Sequence, residues 1–204
     1  MKHTTTHKTA TFELVWSLTV AEGEARTLEL EYQLTAFEEL YLADRLWDHD
    51  RAGRRIADPY GVYRFVKDGG LWLVFAQAPW RPEVRLENIY TPLCSRVRAG
   101  EARRHAVSIA LPVDEYSALA RNVAAETTLV QVSRVTLVLG HRLRASMDAD
   151  PLPPPFESAE QAGYIVDDHA MIVSSLAVDP LPVKRRTGAI ARFAPPDPRP
   201  PSRP

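Results

Sequence analysis

From Phe12 to Leu143 apolar and polar residues alternate at period two in segment after segment, and beyond Met147-Asp148-Ala149-Asp150-Pro151 prolines crowd in. Period two is the signature of a strand with one face in the core and one in water. Proline cannot donate to a sheet ladder, and twelve of the seventeen prolines lie from Pro151 onward, so the sequence predicts that sheet building ends near Leu143. The predicted organisation is all-β: a sandwich over residues 10–146, a C-terminal arm over 151–182 that packs on the sandwich, as an added strand or a short helix, or on a partner, and a disordered Pro/Arg-rich tail over 188–204.

Individual segments sharpen that expectation. Phe12, Leu14, Trp16, Leu18 and Val20 alternate with polar neighbours, and after the Ala21-Glu22-Gly23-Glu24 turn Leu28, Leu30, Tyr32 and Leu34 repeat the pattern, which predicts two neighbouring antiparallel strands. Leu40–Trp47 is apolar enough at its start to be buried on both faces, and it runs into a polar loop, Asp48–Arg55. Val62–Val66 and Leu71–Phe75 flank Lys67-Asp68-Gly69-Gly70, where the two glycines are expected to supply the positive φ of a tight hairpin. Pro79, Pro82 and Pro92 confine residues 78–93 to loop or edge structure. His105–Leu111 alternates again until Pro112, and residues 113–125, opened by Asp114-Glu115 and free of glycine and proline, predict a short helix. The last strand, Leu129–Leu143, changes parity between Val132 and Val135, which predicts a β-bulge or break at Ser133-Arg134.

The Leu28-Glu29-Leu30-Glu31-Tyr32 strand, the hairpin, and Val97-Arg98-Ala99-Gly100-Glu101 ahead of an alternating strand together resemble immunoglobulin-like β-sandwich domains of bacterial proteins; Ala99 stands where such turns often carry proline. The resemblance covers roughly residues 10–143 and implies a Greek-key sandwich. It carries no functional motif, because a fold does not define an activity.

Composition limits the chemistry. With 45% hydrophobic residues, 25% charged and a net charge of −1 over 204 residues, the body is neither a disordered chain nor a nucleic-acid binder. The charge is uneven. From Val183 onward six basic residues (Lys184, Arg185, Arg186, Arg192, Arg199, Arg203) face one acid, Asp197, so the tail carries +5 and residues 1–182 carry −6. No segment approaches the roughly 18 apolar residues of a membrane span, and no secretory leader is visible, so a cytoplasmic location is expected. Cys94, the single cysteine, excludes an intramolecular disulfide and any multi-cysteine zinc site.

Few residues invite a chemical role. His49 in Trp47-Asp48-His49-Asp50 is flanked by carboxylates, but adjacent side chains rarely converge on one ion, and it needs a distant partner such as Asp58 or His141. His105 and His141 lie in strand patterns, where a histidine is more often half-buried than a ligand. Cys94 reads as a small buried hydrophobe. No phosphate-binding loop, dinucleotide fingerprint or nucleophile elbow is present, so no catalytic residue, cofactor or metal ligand is assigned. Trp16 and Trp72 belong to core runs. Trp80, held between Pro79 and Pro82, is the preferred contact residue, with Tyr60 beside it. The expectation is a non-enzymatic protein-binding or scaffold module acting through loops or the C-terminal arm. The alternative is a small metal-dependent enzyme or metal-binding protein built on His49 and nearby carboxylates.

Overall fold

The computed structural model describes residues 2–49, 55–57, 61–76, 92–116, 126–147, 155–158, 161–165 and 170–187. Among these the secondary structure is β, save for a 3₁₀ turn at Arg144–Met147. The strands, in chain order, are β1 Lys2–Lys8, β2 Phe12–Ala21, β3 Thr27–Ala36, β4 Leu40–Arg45, β5 Trp47–His49, β6 Arg55–Ala57, β7 Tyr63–Lys67, β8 Gly70–Phe75, β9 Leu93–Val97, β10 Ala102–Ala110, β11 Val113–Asp114, β12 Glu126–Leu143, β13 Pro155–Ser158, β14 Gln161–Ile165 and β15 Ala170–Thr187.

Two large sheets share one core. The first runs β1-β2-β3-β10, all antiparallel; the second runs β11-β15-β12-β4-β9-β14-β13, with the β7–β8 hairpin beside β12. Alternation decides which side chains face inward. Leu14, Trp16 and Leu18 of β2 and Leu30 and Leu34 of β3 meet Leu40, Leu42, Leu71, Leu73, Leu137 and Leu139 from the second sheet. Trp16 is 1% exposed and its indole Nε1 donates to Ser174 Oγ on β15 at 2.9 Å, so a polar bond crosses the core at its centre. Leu40 through Asp44 are all buried, in line with the two-sided burial expected from that apolar run.

Several expectations need correcting. Sheet building does not end near Leu143: β13, β14 and β15 all follow it, and β15 pairs along nearly the whole of β12. The prolines are accommodated where a ladder tolerates them. Pro155 opens β13, and Pro180 lies in a bulge where Val178, Asp179 and Pro180 together oppose Ser133. That bulge falls where the parity change at Ser133-Arg134 places it. The start of the predicted 113–125 helix is extended instead: Val113–Asp114 pair parallel with Val183–Lys184, and Tyr116 bridges to Arg64. Residues 117–125 lie outside the described residues. Glu115 explains the extended start. Its carboxylate accepts from the Val66 amide at 2.6 Å and from the Arg186 amide, tying β7 to β15 across the sheet. Burial raises the Glu115 pKa above 4.5, against the pull of those two amides and of Arg185 and Arg186.

In the hairpin the positive φ values fall on Asp68 (50°) and Gly69 (70°) rather than on the two glycines, the pattern of a two-residue primed turn. Gly70 serves a different purpose. A Cβ there would stand 3.1 Å from the Arg134 carbonyl oxygen, and Arg134 in turn donates to the Asp68 carbonyl oxygen at 2.6 Å, docking the turn on the bulged part of β12. The expected polar loop at Asp48–Arg55 is bounded by paired strands, His49 opposite Arg55.

Candidate functional site

The preferred contact residues, Trp80 and Tyr60, lie outside the described residues, as does Asp58. His49 is placed only by its backbone pairing at the end of β5. His105 and His141 are both sited as strand histidines. The His105 ring packs between Tyr32 and Phe75, centroids 5.5 and 5.2 Å away. The His141 ring meets Phe12 edge-on at 5.4 Å, and its Nδ1 donates to the Ala170 carbonyl oxygen at 3.1 Å. Burial lowers both pKa values below 6.5. Cys94 is fully buried beside Tyr41 and Ala43, without the exposure a reactive thiol needs. Among the described residues of one chain, no group of three or more His, Cys, Asp or Glu side chains is set to hold a metal.

The structure assembles a polar cluster that sequence reasoning missed. Asp44 is the extra residue of a bulge in β4, between Ala43 paired with Cys94 and Arg45 paired with Leu93. The bulge turns its carboxylate inward, where it is 0% exposed. Arg103, on the inner face of β10 opposite Leu34, donates from Nε to Asp44 Oδ2 at 2.7 Å, and Arg45 Nε stands 3.4 Å from Oδ1. Tyr32, 3% exposed, completes the group; its hydroxyl has no hydrogen-bond partner among the described residues. Burial pushes the Tyr32 pKa well above 10.0, Asp44 adds to the rise and Arg103 opposes it. For His105 burial again leads; Asp44 opposes the fall, and Arg103 and Arg45 add to it. At neutral pH the cluster therefore holds a protonated Tyr32 phenol and a neutral His105 imidazole. Such groups can exchange protons, yet Asp44 and Tyr32 are closed to any substrate unless the core opens. The arrangement acts first as a tie between the two sheets.

Comparison with protein-family models, curated proteins and solved structures finds no match to this chain.

Two surface features stand out. At the other end of the sheets, a cleft of about 210 Å³ is lined by His3, Leu18, Leu28, Arg26, Asp179 and Leu181, among others. His3 Nε2 lies 3.6 Å from Asp179 Oδ2 there, and Arg26 Nε 3.0 Å from Glu22 Oε1. The second feature is the outer face of the β12–β15 ribbon. Met171 and Val173 of β15 are 41% and 36% exposed, and Leu129 of β12 is 64% exposed. Val173 pairs with Val138, a member of the outer cluster of Tyr63, Phe65, Val74 and Tyr116, so Met171 and Val173 extend an apolar surface that is otherwise covered. No helix among the described residues is long and apolar enough to cross a membrane.

Proposed function

We propose that the protein is a non-enzymatic module that binds a protein partner through the outer face of the β12–β15 ribbon. The observation that carries this reading is the exposure of Met171 and Val173 beside a buried aromatic cluster. Large apolar side chains exposed at the margin of a packed apolar face are the usual signature of an interaction surface. The scaffold is read as an immunoglobulin-like Greek-key sandwich. Support comes from the way the chain crosses between the two sheets at β3–β4, at β9–β10 and again at β10–β11. A cytoplasmic location goes with this reading.

Site-directed photo-crosslinking in native cells tests the proposal. A benzophenone side chain at Val173 is expected to capture one discrete heterologous protein, while the same group at Thr6, on the outer face of the other sheet, captures none. An absence of adducts at Val173, or the same adducts at both positions, would remove the β12–β15 face from consideration.

A further inference from the structure

The first strand reads Lys2-His3-Thr4-Thr5-Thr6-His7-Lys8, the same in both directions about Thr5. It forms the outer edge of its sheet: among the described residues β2 lies on one side and no strand on the other. An open edge presents unpaired backbone donors and acceptors as a template for another strand. A palindromic strand is its own antiparallel complement. Centring a two-fold axis on Thr5 sets Thr5 against Thr5, Thr4 against Thr6, His3 against His7 and Lys2 against Lys8.

Lysines at an edge ordinarily discourage such pairing. Here each has a carboxylate of its own chain nearby, Glu31 Oε2 at 3.3 Å from Lys2 Nζ and Glu13 Oε1 at 3.4 Å from Lys8 Nζ, so the lysines are partly neutralised before they meet. Cross-strand threonine pairs favour the association.

The histidines supply the specificity. His3, Thr5 and His7 share the inner face, in register with Leu18, Trp16 and Leu14, and are half-buried, whereas Lys2, Thr4, Thr6 and Lys8 point outward. His3 already has an acidic neighbour, since the Val178–Pro180 bulge of β15 carries Asp179 to 3.6 Å from its Nε2. Metal–ligand bonds of about 2.0–2.2 Å put tetrahedral neighbours about 3.4 Å apart, so this pair is spaced to share one ion. Side chains directly opposite on neighbouring strands have Cβ atoms about 4.5–5.5 Å apart, which brings His7 of the second copy within reach of His3. We propose that two copies pair antiparallel through β1 and build two zinc sites, each from His3 and Asp179 of one chain and His7 of the other. The adjoining cleft leaves room for a water as fourth ligand. This inference is independent of the β12–β15 face.

Analytical ultracentrifugation of the untagged full chain tests it. With one equivalent of zinc chloride the mass should rise from 22.9 kDa to twice that, with two zinc ions per dimer, and EDTA should reverse the change. His3→Asn and His7→Asn, each verified as folded by circular dichroism, should remain monomeric with zinc. Mixed one to one, the two variants should recover a dimer with a single zinc ion, because the heterodimer contains one complete ligand set. A chain that stays monomeric with zinc, a dimer indifferent to EDTA, single variants that dimerise like the native chain, or a mixture that stays monomeric would each overturn the proposal.

Discussion

At the level of single residues, Asp44 shows how a charge is retained in an apolar core. It is 0% exposed, whereas Arg103 is 37% exposed, so the two partners differ in what their loss leaves behind. Arg103→Met strands a buried carboxylate beside Arg45 alone, and a cost of about 3–5 kcal/mol is expected. Asp44→Asn leaves an arginine that can turn toward water, with an expected cost of about 1–2 kcal/mol. Urea melts of the two variants check the asymmetry; equal losses would mean that Arg103 is not the main compensation for Asp44. Trp16 makes a second case. Trp16→Ala removes a fully buried ring at a cost on the order of 3–5 kcal/mol, while Trp16→Phe keeps most of the packing but orphans the Ser174 hydroxyl, at about 1–3 kcal/mol. The same melts rank the pair, and a Phe variant as unstable as the Ala variant would assign the weight to the hydrogen bond. His105 and His141 give the pH dependence. Both folded pKa values are depressed, so below the ordinary imidazole value of 6.5 the unfolded chain binds more protons than the folded one, and stability falls as pH drops. Between pH 7 and pH 5.5 the native chain should lose more of its urea midpoint than His105→Gln/His141→Gln; identical slopes would show that neither ring is held neutral by burial.

Among the elements, β2, β3 and the β7–β8 hairpin were legible because each carries its own evidence: strict alternation in the first two, and turn residues between apolar runs in the third. The bulge in β12 was legible for the same reason, since a parity change is visible without knowing the partner. β15 was not. Met171, Val173, Pro180 and Pro182 break the local pattern, and what makes the segment a strand is β12, which lies far from it in sequence. Beside Pro182 the far edge of β15 carries, among the described residues, only the two-residue β11, so a missing amide is cheap there. Asp44 was illegible in a similar way: nothing local distinguishes a bulged, inward-facing aspartate from an ordinary strand-end charge. The pairing of β15 yields a truncation test. Deleting residues 188–204, a stretch rich in proline and arginine, should leave the melting temperature nearly unchanged. A chain stopping at Asp150 loses β15, uncovers β12 and strands the Trp16 indole, and should aggregate or fail to fold. A soluble, cooperatively melting 1–150 fragment would show that β15 adds nothing essential to the core.

For the whole molecule, the ties between sheets decide whether the chain unfolds as one body. Trp16–Ser174 joins β2 to β15, and Arg103–Asp44 joins β10 to β4. Within the second sheet Glu115 holds β7 and β15 together. The core draws on β2, β3, β4, β8, β12 and β15 at once, so neither sheet can bury its inner face without the other. Two-state unfolding follows: far-UV circular dichroism, reporting both sheets, and tryptophan fluorescence, to which the buried Trp16 contributes, should give coincident urea transitions. Most of the pairings join segments distant in sequence, β12 with β15 and β3 with β10 among them, which places refolding in the slow range of all-β domains, about milliseconds to seconds. If the fluorescence transition preceded the dichroism transition, the sheets would be separating before they lose their strands, and the intersheet bonds at Trp16 and Asp44 would be too weak to make one cooperative unit.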